Sequence, residues 1–187
     1  ILLGPAHRVP VLGCACPSDA WFETPLGKIP VDQQQLQQLV SLGQVKINDQ
    51  AHQLEHSLEV HLPFLQILYS QFSLIPLVIG NCSPENLASI IDTIFDDRSL
   101  LIISTDLSHF MDYESACTRD KHTSDTIESL DHRSIGPEDA CGCVPLSGLL
   151  SYAKSQQLKV LNVDYRNSGD TAGDKQRVVG YGAYIAY

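Results

Sequence analysis

Four residues, far apart in the chain, carry the side chains best suited to metal or proton chemistry. Behind the apolar lead "ILL" comes "GPAHRVP", which sets His7 between Pro5 and Pro10. The prolines stiffen the backbone around an ionisable ring, as a ligand or catalytic group requires. Behind "SLLIIS" comes "TDLSHF", where Asp106 and His109 pair a carboxylate with an imidazole suited to proton transfer. Ahead of a helix expected near Pro145 comes "DACGCVPLSG". It puts Cys141 where free N–H groups and the helix dipole favour a thiolate, and so a metal ligand or nucleophile. Each type also has an ordinary use: a histidine in a turn, an aspartate capping a loop, a cysteine as a small buried hydrophobe.

Other candidates are weaker. In "AHQLEHSLEVH", His52, His56 and Glu59 share a helical face, but the His-Glu-x-x-His pattern of zinc proteases is absent. Structural roles are expected for His52 and His61, with Glu55 and His56 left open as pocket residues. "CAC" (Cys14, Cys16) and "CGC" (Cys141, Cys143) are too tight for the usual zinc pairs. "DKHTSDTIESLDH" reads as a solvated helix face, and "NSGD" as a turn and a candidate pocket rim.

The elements that must position these groups alternate in type. Asp32 and Gly43 bracket a glutamine-rich helix whose Leu36, Leu39, Val40 and Leu42 keep a helical period. Leu54, Leu58, Leu62, Leu65 and Leu68 trace a buried helix face that Pro63 should kink or divide. "SLIPLVIG" and "SLLIIS" are continuous apolar runs, as in strands covered on both faces. Between them "SPENLASIIDTIF" offers a Ser cap, a Pro at the first turn and an apolar stripe. Further helices are expected in "ACTRDKHTSDTIESL" and "VPLSGLLSYAKSQQ", and strands in "LKVLNVDY" and "QRVVGYGAYIAY". Helices interleaved with buried strands indicate an α/β layered domain. In such folds ligands gather beyond the carboxyl ends of the strands, where His7, Asp106, His109 and Cys141 would then meet.

Composition narrows the classes. A chain of 187 residues with 43% hydrophobic and 18% charged residues is ordinary for one globular domain. The net charge of -10 argues against nucleic acid and anionic membrane surfaces as partners. Six cysteines are too few for a disulfide scaffold, so a reducing, cytoplasmic setting is expected.

In chain order, "LGPAHRVP", "TPLGKIPVD", "EHSLEVHLPFLQ", "IPLVIG", "ISTDLSHF", "ACGCVPL" and "VVGYGAYIAY" resemble the Memo family, itself similar to the class III extradiol (LigB-type) dioxygenases. The resemblance implies a three-layer α/β/α sandwich around a mostly buried mixed sheet. It also implies one Memo-like domain over residues 1–187, lacking a first strand and helix, because the family's Pro-His-Ala-Gly motif has no counterpart here. In those dioxygenases two histidines and a glutamate hold non-haem Fe(II), and a separate histidine acts as acid or base. Memo-like proteins have a cysteine in place of the glutamate. On this resemblance His7 and Cys141 correspond to metal ligands and His109, with Asp106, to the acid–base group. The implied cofactor is a divalent metal, Fe(II) first, with copper or zinc as alternatives because a thiolate is softer than a carboxylate.

Two functions compete. One is an oxidoreductase performing non-haem iron oxygen chemistry on a small aromatic substrate. The other is a non-enzymatic adaptor whose cleft binds a metal, a small molecule or a peptide, since eukaryotic Memo relatives are regarded as adaptors in signalling and motility. A third reading, a hydrolase with Cys141 as nucleophile and His109 as base, is poorer.

Overall fold

The computed structural model describes residues 1–171 and 173–187. The chain runs through β1 (Leu2–Pro5), β2 (Cys14–Cys16), β3 (Trp21–Thr24), β4 (Gly27–Pro30), α1 (Gln33–Ser41), β5 (Lys46–Ile47) and α2 (Asp49–Gln53). A short 3-10 turn, Glu59–His61, leads into α3 (Leu62–Leu68), followed by β6 (Pro76–Ile79), α4 (Pro84–Ile94), β7 (Ile102–Ile103) and β8 (His109–Met111). Then come α5 (Tyr113–Glu128), α6 (Cys143–Ser155), β9 (Val160–Asn167) and β10 (Val178–Ala186).

A five-stranded sheet in the order β5-β2-β6-β1-β7 forms the centre. β1 runs parallel to both β6 and β7, whereas β2 is antiparallel to β6, so the sheet is mixed. Every residue of β1 and β6 is buried, as their unbroken apolar sequences require. Alternation divides them between two clusters. Leu3, Cys14, Cys16, Leu77 and Ile79 pack with Leu36 and Leu39 of α1 and Leu87, Ile90 and Ile91 of α4. Leu2, Ala15 and Val78 point the other way, against Ala51, Leu58 and Leu62. A second, three-stranded antiparallel sheet, β8-β10-β9, packs with α5, and β3 and β4 form a hairpin. Among the described residues no helix is long and apolar enough to cross a membrane.

Local signals account for most helices. Asp32 accepts from the Gln35 amide to start α1, and Ser83 does the same for α4 through Asn86, with Pro84 in the first turn. The leucine-rich segment behaves differently. Only Leu58 and Leu62 are deeply buried, whereas Leu54 and Leu68 are exposed. The helix breaks after Gln53, and Pro63 opens α3 instead of kinking a longer helix. The break has a reason: the backbone of residues 56–57 turns its amides onto the Glu55 carboxylate. Helix α5 also differs from the solvated face expected of it, because Ala116, Asp120, Thr123, Thr126 and Ile127 are buried. That face is built from small and polar groups, which hydrophobic periodicity does not register.

Candidate functional site

β1 and β7 are adjacent and parallel, so the segments leaving them emerge at the same edge of the sheet. The segment after β7 carries Asp106 and His109. It is pinned first to the central sheet, by the Ser104 amide on the Leu3 carbonyl (2.8 Å). It then crosses to the second sheet, where the Leu107 amide donates to Gly180 O at 2.8 Å and the Gly180 amide to Ser108 O at 2.9 Å. At the far end, β8 pairs Met111 with Val178 and His109 with Val179, leaving Phe110 as an extra residue in a bulge with φ of 59°. A left-handed phenylalanine costs about 1 kcal/mol, and a bulge of this kind redirects the side chain beside it. Here His109 Nε2 comes within 3.6 Å of Asp106 Oδ2.

Cys141 is brought to the same place by reciprocal backbone contacts. The Asp106 amide donates to Cys141 Sγ at 3.2 Å and the Cys141 amide to the Asp106 carbonyl at 3.3 Å. The Gly142 amide donates to Thr105 Oγ1 at 2.8 Å. Ligand atoms of Asp106, His109 and Cys141 all lie within 4.8 Å of one another. The His109 and Asp106 side chains are 33% and 46% exposed, so the group is open to solvent. It does not occupy the surface groove of about 680 Å³ at the opposite, amino-terminal end of the strands, which Ile1, Ile75 and Ile102 help to line.

The close approach at Gly142 is a point of sensitivity. A Cβ there would sit 2.6 Å from the Ser104 carbonyl oxygen and 2.7 Å from Thr105 Cβ. Gly142→Ala is therefore expected to push α6 away from the residue 104–106 segment at a cost of about 2 kcal/mol. A fall in the urea midpoint checks this, and an unchanged midpoint would refute the tight packing.

The sequence candidates divide into two groups. His7 stands with Glu55 and His56, whose ligand atoms also lie within 4.8 Å of one another, and not in the group with Cys141. Glu55 is the centre of this second group, its side chain only 2% exposed. Its Oε1 receives His7 Nδ1 at 3.0 Å, the His56 amide at 2.9 Å and the Ser57 amide at 3.0 Å, while Oε2 receives the His7 amide at 2.6 Å. Burial opposes its ionisation, but these donors outweigh burial and hold the carboxyl at about 2. An ionised carboxylate only accepts, so the contact keeps a hydrogen on His7 Nδ1 and leaves Nε2 as the ring atom available to a ligand. With its oxygens occupied in this way, Glu55 is suited to holding His7 and poorly suited to binding an ion itself. His56 stacks on His7, ring centroids 5.1 Å apart.

Sequence reasoning gave His61 a structural role and did not single out Tyr181 or Asp120. Burial pushes the His61 imidazole below its ordinary value while Asp106 acts to raise it. Burial, with Asp106 adding to it, pushes the Tyr181 phenol up from β10. Deeper still, Asp120 of α5 accepts from the Ser108 amide at 2.9 Å and from Tyr165 Oη at 2.8 Å, bracing the residue just before His109. None of these carries a spacing signal, because each acts across a long sequence separation. His52, with Nε2 at 3.1 Å from the Ala15 carbonyl, has the structural role expected of it. The "NSGD" turn closes as a capping box, Asn167 and Asp170 each satisfying the other's backbone.

A mixed α/β fold whose sheet edge gathers histidine, cysteine and carboxylate side chains agrees with the comparisons to known proteins. The model of the Memo-like protein family matches residues 1–185. A MEMO1 family protein of Saccharolobus solfataricus is 34% identical over 97% of this chain and 69% of its own length. Another, from Metallosphaera sedula, is 33% identical with the same coverage of both chains. The chain belongs to the Memo family.

Proposed function

We propose that this chain binds a metal ion through histidine and cysteine at the carboxyl edge of its central sheet. The cleft there would be related to that of the class III extradiol dioxygenases. Two-sided burial of the central sheet supports the corresponding three-layer α/β/α arrangement. The observation that carries the reading is the convergence of sulfur, imidazole and carboxylate donors at Cys141, His109 and Asp106. That convergence sets Cys141 beside the His109–Asp106 pair, with ligand atoms of all three within 4.8 Å of one another. A cysteine sulfur and an imidazole nitrogen are donor types that suit a metal.

In this reading Cys141 and His7 would hold the ion from the two groups at this edge, His7 presenting the Nε2 that Glu55 leaves free. Asp106 stands 3.6 Å from His109 Nε2, and His109 is the group that would take up and return a substrate proton. Bound Fe(II) would supply redox chemistry between dioxygen and a small aromatic substrate, and the thiolate also suits copper or zinc. The six free cysteines agree with a reducing, cytoplasmic setting. The net charge of -10 favours a small molecule or a peptide over nucleic acid or an anionic membrane as the partner.

The test is an anaerobic titration of the chain with Fe(II), zinc and Cu(I), followed by oxygen uptake with a panel of catechols. One ion per chain is expected, with His7→Ala and Cys141→Ser each weakening binding at least about tenfold. His109→Ala should lower oxygen uptake while retaining the ion. Failure to bind any of the three metals would overturn the reading. Stoichiometric binding with no oxygen uptake would leave the non-enzymatic alternative standing.

A further inference from the structure

Away from this edge, two cysteines 68 residues apart meet, with their sulfurs 3.8 Å from each other. Cys14 lies in β2, is 2% exposed, and is fixed by the pairing of its strand with β6. Cys82 follows β6, directly before Ser83, the cap of α4, and is half-buried. Both pack at the cluster that joins the central sheet to α1 and α4. Their environments push the two sulfurs apart chemically. The Cys14 thiol donates to Cys82, and with the Ser83 amide it outweighs burial to bring the Cys82 thiol down to about 7. Cys14 is raised well above its ordinary value, because its hydrogen is held in that bond and its surroundings are apolar. A reachable sulfur with thiolate character beside a buried, protonated one is the arrangement in which peroxide-sensitive cysteines operate.

We propose that Cys14 and Cys82 form an oxidation site that reacts with hydrogen peroxide and closes to a disulfide. The Cys82 thiolate attacks a peroxide oxygen; an S–O bond forms and the O–O bond breaks. Sulfur is oxidised by two electrons as the peroxide is reduced, and the displaced hydroxide takes a proton to leave as water. Cys14 then gives up its proton and attacks the Cys82 sulfur. The S–S bond forms, the S–O bond breaks, and the departing hydroxide leaves as a second water. The sulfurs must close from 3.8 Å to about 2.05 Å. That motion falls to Cys82, because Cys14 is held in the sheet.

The experiment treats the reduced, chelator-washed chain with one equivalent of hydrogen peroxide and maps its cysteines by mass spectrometry without reduction. The expected product is the intact chain less two hydrogens, with a Cys14–Cys82 cross-linked peptide. Cys82 should be consumed roughly tenfold faster than Cys16, Cys117 or Cys143, in line with its thiolate fraction. In Cys14→Ala, Cys82 should stop at sulfenic acid and be trapped by dimedone. Oxidation of other cysteines with no Cys14–Cys82 peptide, or Cys82 running on to sulfinic acid in the unaltered chain, would overturn the proposal. Mapping of the unaltered chain decides this even if Cys14→Ala does not fold. The outcome is independent of whether Cys141 binds a metal.

Discussion

Glu55→Ala will lower stability by about 3 kcal/mol and weaken metal binding in the same variant. The stability loss follows from what the carboxylate holds. The amides of His7, His56 and Ser57 and the ring N–H of His7 all converge on a side chain 2% exposed, and alanine leaves them without an acceptor. A carboxyl brought from its ordinary 4.5 to about 2 gives a matching figure of roughly 3 kcal/mol from the shift alone. The sign of the pH dependence follows. A depressed folded-state value stabilises fully above about 4.5, and this contribution drains away as the pH falls through about 2. In the metal-free chain, urea midpoints measured between pH 5 and pH 2 (roughly the interval over which such a group titrates) should fall steeply for the natural sequence. They should fall less steeply for Glu55→Gln, which keeps the shape without the charge. Binding should weaken because His7 loses the contact that keeps hydrogen on Nδ1. Nitrogen NMR of the His7 ring reads that tautomer directly. If Glu55→Ala leaves both the midpoint and the ring tautomer unchanged, the support role assigned to this carboxylate is wrong.

Asp120→Ala should be at least as damaging, at about 3–5 kcal/mol, because it strips the acceptor from the buried Ser108 amide and from the half-buried Tyr165 hydroxyl. Asp120 is 0% exposed, and it ties α5 to Ser108 and to Tyr165 of β9. Burial, with Asp120 reinforcing it, pushes the Tyr165 phenol well above its ordinary value, so this hydroxyl keeps its hydrogen to donate. Gly180 of β10 passes so close that a Cβ would lie 2.0 Å from Asp120 Oδ2. A glycine is needed there by contact alone, and Gly180→Ala should reproduce much of the Asp120 defect. Tyr165→Phe removes only one of the two bonds and should cost about 1–2 kcal/mol. Denaturant midpoints of the three variants test the order. A Tyr165→Phe loss equal to that of Asp120→Ala would mean that the Ser108 bond contributes nothing. Because Ser108 precedes His109, Asp120→Ala should also broaden the His109 ring resonances, whereas Tyr165→Phe should leave them nearly unchanged.

Local chemistry settled a good part of this molecule. The caps at Asp32 and Ser83, the proline opening α4 and the unbroken apolar runs of β1 and β6 were readable because each involves residues within a few positions of one another. The rule that groups after parallel strands share an edge was enough to single out His7, Asp106, His109 and Cys141. It could not divide them into the two groups observed.

That division depended on backbone groups finding acceptors far away in sequence. Glu55 interrupts a helix that leucine periodicity would have continued, because its carboxylate gathers the amide and ring of His7, 48 residues earlier, together with the His56 and Ser57 amides. The bulge at Phe110 arises from pairing with β10, and the buried face of α5 exists because Ser108 and Tyr165 require a carboxylate. Sequence alone determined most of the longer helices and strands, the family resemblance and the chemically capable side chains, since these depend on composition and short spacing. Only the tertiary structure decided which carboxylate holds which imidazole, because a buried hydrogen bond is specified by distance in space.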